Sequence, residues 1–134
     1  MRGNKSEKMT KSLKRIFIVD DDEMLTMMLE DYLNQMSRYT VQSFATGEEC
    51  LAQLHQNPDA IILDFNLDSI HPNAMNGLEI LKQVKKEHRG IQVIMYSSQK
   101  QYGKALQTIG EGAIEYIIKD NDTFTKIDTI LRSL

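Results

Sequence analysis

From Ile16 onward, short apolar runs alternate with stretches in which apolar residues recur every three or four positions. Ile16-Phe17-Ile18-Val19 and Ala60-Ile61-Ile62-Leu63 are runs of the first kind, and Ile91 to Tyr96 is another with Gln92 interrupting it. Continuous apolar character over four to six residues is the pattern of a strand covered on both faces, as in a parallel sheet. Tyr39 to Phe44 and Ala113 to Ile118 are weaker versions, giving five predicted strands. Between them, Leu25, Met28, Leu29, Tyr32, Leu33 and Met36 mark one face of a first helix, on which the methionines read as core filler. Thr46-Gly47-Glu48-Glu49 has capping-box spacing and opens a second helix that runs through about Gln56 and stops before Pro58. Gly77 to about His88 is a third helix, with Leu78, Leu81 and Val84 facing inward. A fourth runs from about Lys100 to Ile109, and a fifth starts at Asp122 or Thr123 and turns Phe124, Ile127, Ile130 and Leu131 to one side.

Strand and helix thus alternate five times, and right-handed crossovers turn such a chain into a doubly wound α/β domain. The predicted architecture is a five-stranded parallel sheet of order 2-1-3-4-5 with helices on both faces, a flavodoxin-like three-layer sandwich. Ligands of such sheets bind beyond the carboxyl ends of the strands, near the switch point between strands one and three. Residues 65 to 76 stand out as a long connection, since strand-to-helix loops usually take about two to six residues.

Composition adds boundaries. The chain has 134 residues, 41% hydrophobic and 26% charged, enough for one core without disulfide or metal staples. A lone Cys50 and the lack of an apolar signal segment after Met1 suit a reducing, cytoplasmic setting, and no run approaches the roughly 20 apolar residues of a membrane span. Net charge is -3, yet residues 1–15 hold six of the 16 basic residues and one acid. Residues 1–14 therefore read as a basic, flexible leader and 15–134 as an acidic domain, which disfavours direct nucleic-acid binding by the domain. His55, His71 and His88 have no ligand spacing and read as surface residues. Lys82, Lys85, Lys86 and Arg89 read as a solvated helix face balanced by Glu79 and Glu87.

The chemistry collects at one edge. Asp20-Asp21-Asp22 follows the first strand, Asp64 the third, Ser97 the fourth and Lys119 the fifth. Carboxylates converging there repel unless a cation neutralises them, and a hard, oxygen-seeking ion such as Mg²⁺ suits the donor set. Metal, lysine and hydroxyl together are what phosphoryl transfer asks of a protein, with one carboxylate left as nucleophile. Asp22 is expected to cap the first helix.

Ile-Val-Asp20-Asp21-Asp22, Ile-Ile-Leu-Asp64, Ile-Met-Tyr-Ser97-Ser98 and Glu-Tyr116-Ile-Ile-Lys119 together resemble the receiver domain of the two-component response regulator family, over nearly everything from Leu13 to Leu134. The resemblance implies a signalling domain rather than an enzyme acting on a separate substrate. Asp64 would accept a phosphoryl group from the phosphohistidine of a sensor histidine kinase or a phosphotransfer protein. Asp20, Asp21, Asp64 and the backbone carbonyl of Asn66 would hold Mg²⁺, and Lys119 would pair with the phosphoryl oxygens. Ser97 and Tyr116 would act as switch residues, altering the surface of helix four, strand five and helix five toward a downstream partner, an effector domain or a second copy of the chain.

Two features depart from the family: the longer loop after Asp64, and Asp120 where proline usually follows Lys119. A cis bond before a non-proline residue costs about 3 kcal/mol, so that peptide is expected trans, or else strained and held by its neighbours. Rival readings are a pseudo-receiver that binds partners without phosphorylation, a flavin-binding domain of similar topology, and a phosphatase resembling the haloacid dehalogenases. The last would use Asp20 and Asp22. It leaves Asp64 unexplained and finds Met24 where that family usually has Thr or Val.

Overall fold

The computed structural model describes residues 13–67, 73–98 and 100–134. Its strands are β1 (Lys14–Val19), β2 (Tyr39–Phe44), β3 (Ala60–Asp64), β4 (Gln92–Ser97) and β5 (Glu115–Ile118). They form one parallel sheet in the order β2-β1-β3-β4-β5. The helices are α1 (Glu23–Asn34), α2 (Gly47–Leu51), α3 (Gly77–Glu87), α4 (Tyr102–Gly110) and α5 (Thr123–Arg132). Residues 1–12 of the expected leader, and His71 within the long loop, lie outside the described residues.

The apolar runs stay unbroken because successive strand residues serve two cores. Phe17, Val19, Ile61, Leu63, Val93 and Met95 face one side of the sheet, where Cys50 of α2 and Ile80, Leu81 and Val84 of α3 close over them. Ile16, Ile18, Ala60, Ile62, Ile94 and Tyr96 face the other, against Leu29 and Leu33 of α1 and Ile127 and Leu131 of α5. Alternation of Cβ directions along a strand makes this division. Each fully buried large aliphatic side chain contributes roughly 1.5–3 kcal/mol to the driving force for collapse.

Several local readings change. The second helix is α-helical only through Leu51 and ends as a 3₁₀ turn, Leu54–Gln56, with Asn57 left-handed at φ 56° before Pro58. Thr46 caps α2 by accepting from the Glu49 amide, but Glu49 returns to the amide of Ala45 instead of completing the box at Thr46. A complete capping box opens α3, where Asn76 and Glu79 each accept the other's amide, at 3.0 and 2.9 Å. The methionine reading of the first helix is corrected for Met28, which is exposed, as are Met24 and Met27, whereas Met36 is partly buried against the core; Leu29 and Leu33 carry the buried face. At α5, Asp122 occupies the cap position without a side-chain cap bond. The turn is held instead by Thr123, whose hydroxyl accepts the Asp120 amide at 2.6 Å, and by Asp120, which accepts the Asp122 amide at 2.8 Å. The Lys119–Asp120 peptide is trans.

Candidate functional site

Register assembles the site. Val19 pairs with Leu63, Leu63 with Met95, Asp64 with Tyr96 and Ser97 with Ile118, so the residues that end or follow these strands meet at one edge. Asp20 leaves β1, Asp64 ends β3, Ser97 ends β4 and Lys119 follows β5, its amide donating to the Ser97 carbonyl at 2.8 Å. Asp20, Asp21 and Asp64 each offer a carboxylate oxygen, all within 4.8 Å of one another. Asp22 points elsewhere and caps α1, accepting the Leu25 amide at 3.1 Å.

The acids are not simply exposed loop charges. Asp20 is 2% exposed and Asp64 3%, and both face the Lys119 ammonium, at 3.2 Å and 3.5 Å. Burial, reinforced by the charge of Asp20, pushes the Asp64 carboxyl up to about 7, against the pull of Lys119 and of the Asn66 amide. Desolvation and a like charge both disfavour the anion, so the arrangement calls for a further cation. An all-oxygen donor set of three carboxylates fits a hard divalent ion such as Mg²⁺.

Asp64 is held from below by its own chain. Asn66 N–H donates to Asp64 Oδ1 at 3.1 Å, and the Asn66 amide oxygen accepts the Ser97 hydroxyl at 3.1 Å. Ser97 is fully buried at the rim of the acidic cluster. Phe65, next to Asp64, sets its ring edge to face against Tyr116 with centroids 6.2 Å apart, and the ammonium of Lys104 on α4 lies 5.0 Å above that same ring. Tyr116 is half-buried on β5, one aromatic contact away from the residue that follows Asp64.

Residues 16–131 match the family of response regulator receiver domains. The chain belongs to that family. It is 28% identical over 121 residues to the response regulator protein VraR of Staphylococcus aureus, covering 89% of this chain and 56% of the relative. It is 26% identical to the chemotaxis protein CheY of Thermotoga maritima, covering 79% of this chain and 85% of that one. Thus the chain spans little more than half of VraR and most of CheY. Among solved structures, a CheY-like receiver domain from Methanospirillum hungatei superposes with a TM-score of 0.75 at 30% identity, covering 91% of this chain and 96% of that one. The response regulator TrrA of Thermotoga maritima, solved in complex with Mg²⁺ and BeF, gives 0.75 at 25% identity, covering 91% and 100%.

As a receiver domain, the chain is a signalling module with an acidic cluster of the kind that binds Mg²⁺ in this family. No helix among the described residues is long and apolar enough to cross a membrane. Asp20, Asp21, Asp64, Lys119, Ser97 and Asn66 all gather at the carboxyl edge, with Tyr116 behind them. Sequence reasoning passed over Tyr96. Its side chain is wholly buried, and its hydroxyl donates to Asp20 Oδ2 at 2.6 Å. Burial and the Asp20 carboxylate together push that phenol well above its usual range. The signal was present, because a tyrosine ending an otherwise apolar buried run must find a partner for its hydroxyl.

Proposed function

We propose that Asp64 is the phosphoacceptor of a phosphorylation-controlled signalling switch, loaded from the phosphohistidine of a sensor histidine kinase or a phosphotransfer protein. The observation that carries this reading is a buried carboxylate set between Lys119 and two further acids at the end of the central strand. An Asp64 carboxylate oxygen attacks phosphorus, the phosphorus–nitrogen bond to the donor imidazole breaks, and the imidazole nitrogen keeps the bonding pair and takes up a proton. The product is an acyl phosphate. Asp20, Asp21, Asp64 and the Asn66 carbonyl would hold Mg²⁺, which offsets charge on the transferring phosphoryl oxygens when bound.

The remaining steps belong to the chain. Lys119 exchanges its carboxylate partners for a phosphoryl oxygen, a charge-assisted contact in a site largely closed to water. Ser97 leaves Asn66 to donate to the new phosphate, and the space behind it draws Tyr116 inward. The face built by α4, β5 and α5 changes as a result and engages a downstream partner, an effector domain or a second copy of the chain. One local charge event biases a two-state surface.

Intact mass after incubation with acetyl phosphate, with and without Mg²⁺, tests the assignment. Wild type should gain one phosphoryl group in a Mg²⁺-dependent manner and Asp64→Asn none. Uptake by Asp64→Asn equal to wild type refutes the acceptor, and no uptake under any condition favours a pseudo-receiver that works by binding alone.

A further inference from the structure

Two carboxylate oxygens of Asp20 are claimed by three different donors. Oδ1 accepts the Asp22 amide at 3.0 Å. Oδ2 accepts the Tyr96 hydroxyl at 2.6 Å and faces Lys119 Nζ at 3.2 Å. The Tyr96 ring also carries that ammonium on its face, 4.5 Å from the centroid. One fully buried side chain therefore touches both halves of the Asp20–Lys119 ion pair, the hydroxyl holding the anion and the ring seating the cation. Tyr96 is itself fixed, since Asp64 and Tyr96 are register partners and Ile94 and Tyr96 lie in the core beneath α1 and α5.

We infer that Tyr96 is a positioning residue of the acceptor site, orienting the Asp20 carboxylate for the divalent cation through its hydroxyl. The inference rests on the receiver reading above. A carboxylate bonded at one oxygen only can turn about its Cβ–Cγ bond, and a bond at each oxygen stops that rotation. Lys119 cannot supply the second anchor throughout the cycle, because the proposed mechanism moves it to the phosphoryl group. Tyr96 can, because it is neutral and makes no competing demand on the metal's charge. It is also fixed to the same strand as Ser97. Partners of this type, one bond removed from the ion, characteristically cost about tenfold or more in metal affinity when deleted.

The test is Mg²⁺ titration by calorimetry of wild type, Tyr96→Phe, Tyr96→Met and Tyr39→Phe, with urea unfolding of each in chelator. Tyr39 is the matched control, because its hydroxyl donates to another buried carboxylate, Asp128, at 2.7 Å, from the first residue of β2, at the end of the sheet opposite the acids. Both Tyr96 variants should raise the Mg²⁺ Kd about tenfold, and Tyr39→Phe should leave it within twofold. Tyr96→Met keeps the measurement available if the phenylalanine variant folds poorly. A folded Tyr96 variant with a Kd within twofold of wild type, or a tighter one, overturns the role of Tyr96. So does equal weakening by Tyr39→Phe, which would trace the effect to general stability. A wild type that binds no Mg²⁺ and takes up no phosphoryl group refutes the receiver reading and this inference with it.

Discussion

Gly77 is the first residue of α3, and its amide donates to the Phe65 carbonyl at 3.0 Å, across the end of the strand that carries Asp64. A Cβ built there would lie 2.4 Å from the Asp64 carbonyl oxygen, 2.7 Å from the Phe65 Cα and 3.0 Å from the Phe65 carbonyl oxygen. Carbon contacts settle at about 3.5–4.0 Å, so the approach to the Phe65 Cα alone is too close by roughly 0.8 Å or more. All three neighbours are backbone and cannot swing away. Overpacking costs about 1–3 kcal/mol, and the backbone setting argues for the upper end. Alanine returns up to about 1 kcal/mol through better helix propensity, leaving Gly77→Ala destabilised by about 2 kcal/mol. With an m-value of about 2 kcal/mol/M, the urea midpoint should fall by about 1 M. Phosphoryl uptake from acetyl phosphate should slow in parallel, because the displaced atoms include the Asp64 carbonyl. Gly103→Ala is the contrast: nothing lies within 4 Å of its added Cβ in α4. That variant should gain up to about 1 kcal/mol from propensity alone. A Gly77→Ala midpoint equal to or above wild type would refute the close-approach reasoning.

Other outcomes follow from single contacts. Burial and the bond to Asp128 push the Tyr39 phenol from 10.0 up to about 12, so folding favours the neutral phenol. This contribution should be complete below pH 10 and lost as pH rises through 12; urea midpoints across that window should decline more steeply for wild type than for Tyr39→Phe. Asn76→Ala removes half of a complete capping box and should cost about 1 kcal/mol by thermal unfolding. Lys119→Ala should retain Mg²⁺ binding by calorimetry yet lose the phosphodonor-induced NMR shifts in α4 and β5, and retention of those shifts would remove Lys119 from the switch.

Strands β1, β3 and β4 are legible because burial on both faces leaves a plain mark, four apolar residues in succession, whereas the edge strands β2 and β5 are less buried and read more weakly. Asp20, Asp64, Ser97 and Lys119 are legible for a related reason, since each stands where an apolar run meets polar sequence. Local competition is harder to read. The Thr46–Glu49 spacing matches a capping box, yet the same spacing at Asn76–Glu79 is where the reciprocal pair forms. Met28 fits the helical period of the buried face but lies exposed, because the stripe narrows to Thr26, Leu29 and Leu33 once α1 is docked. Tyr96 escaped because its partner is 76 positions away, and no local pattern names which carboxylate a buried phenol will reach. The same holds for Ser97 and Asn66, 31 positions apart.

The ammonium that compensates Asp20 and Asp64 follows β5, a four-residue strand at the edge of the sheet. Edge strands open at lower free energy than central ones, so amides of β5 should exchange with solvent sooner than those of β1 and β3. Each opening carries Lys119 off and leaves the acids of the central strands facing one another. Closure of the last ladder and charge balance at the acceptor are therefore coupled, and the ion pair lasts no longer than the edge stays closed.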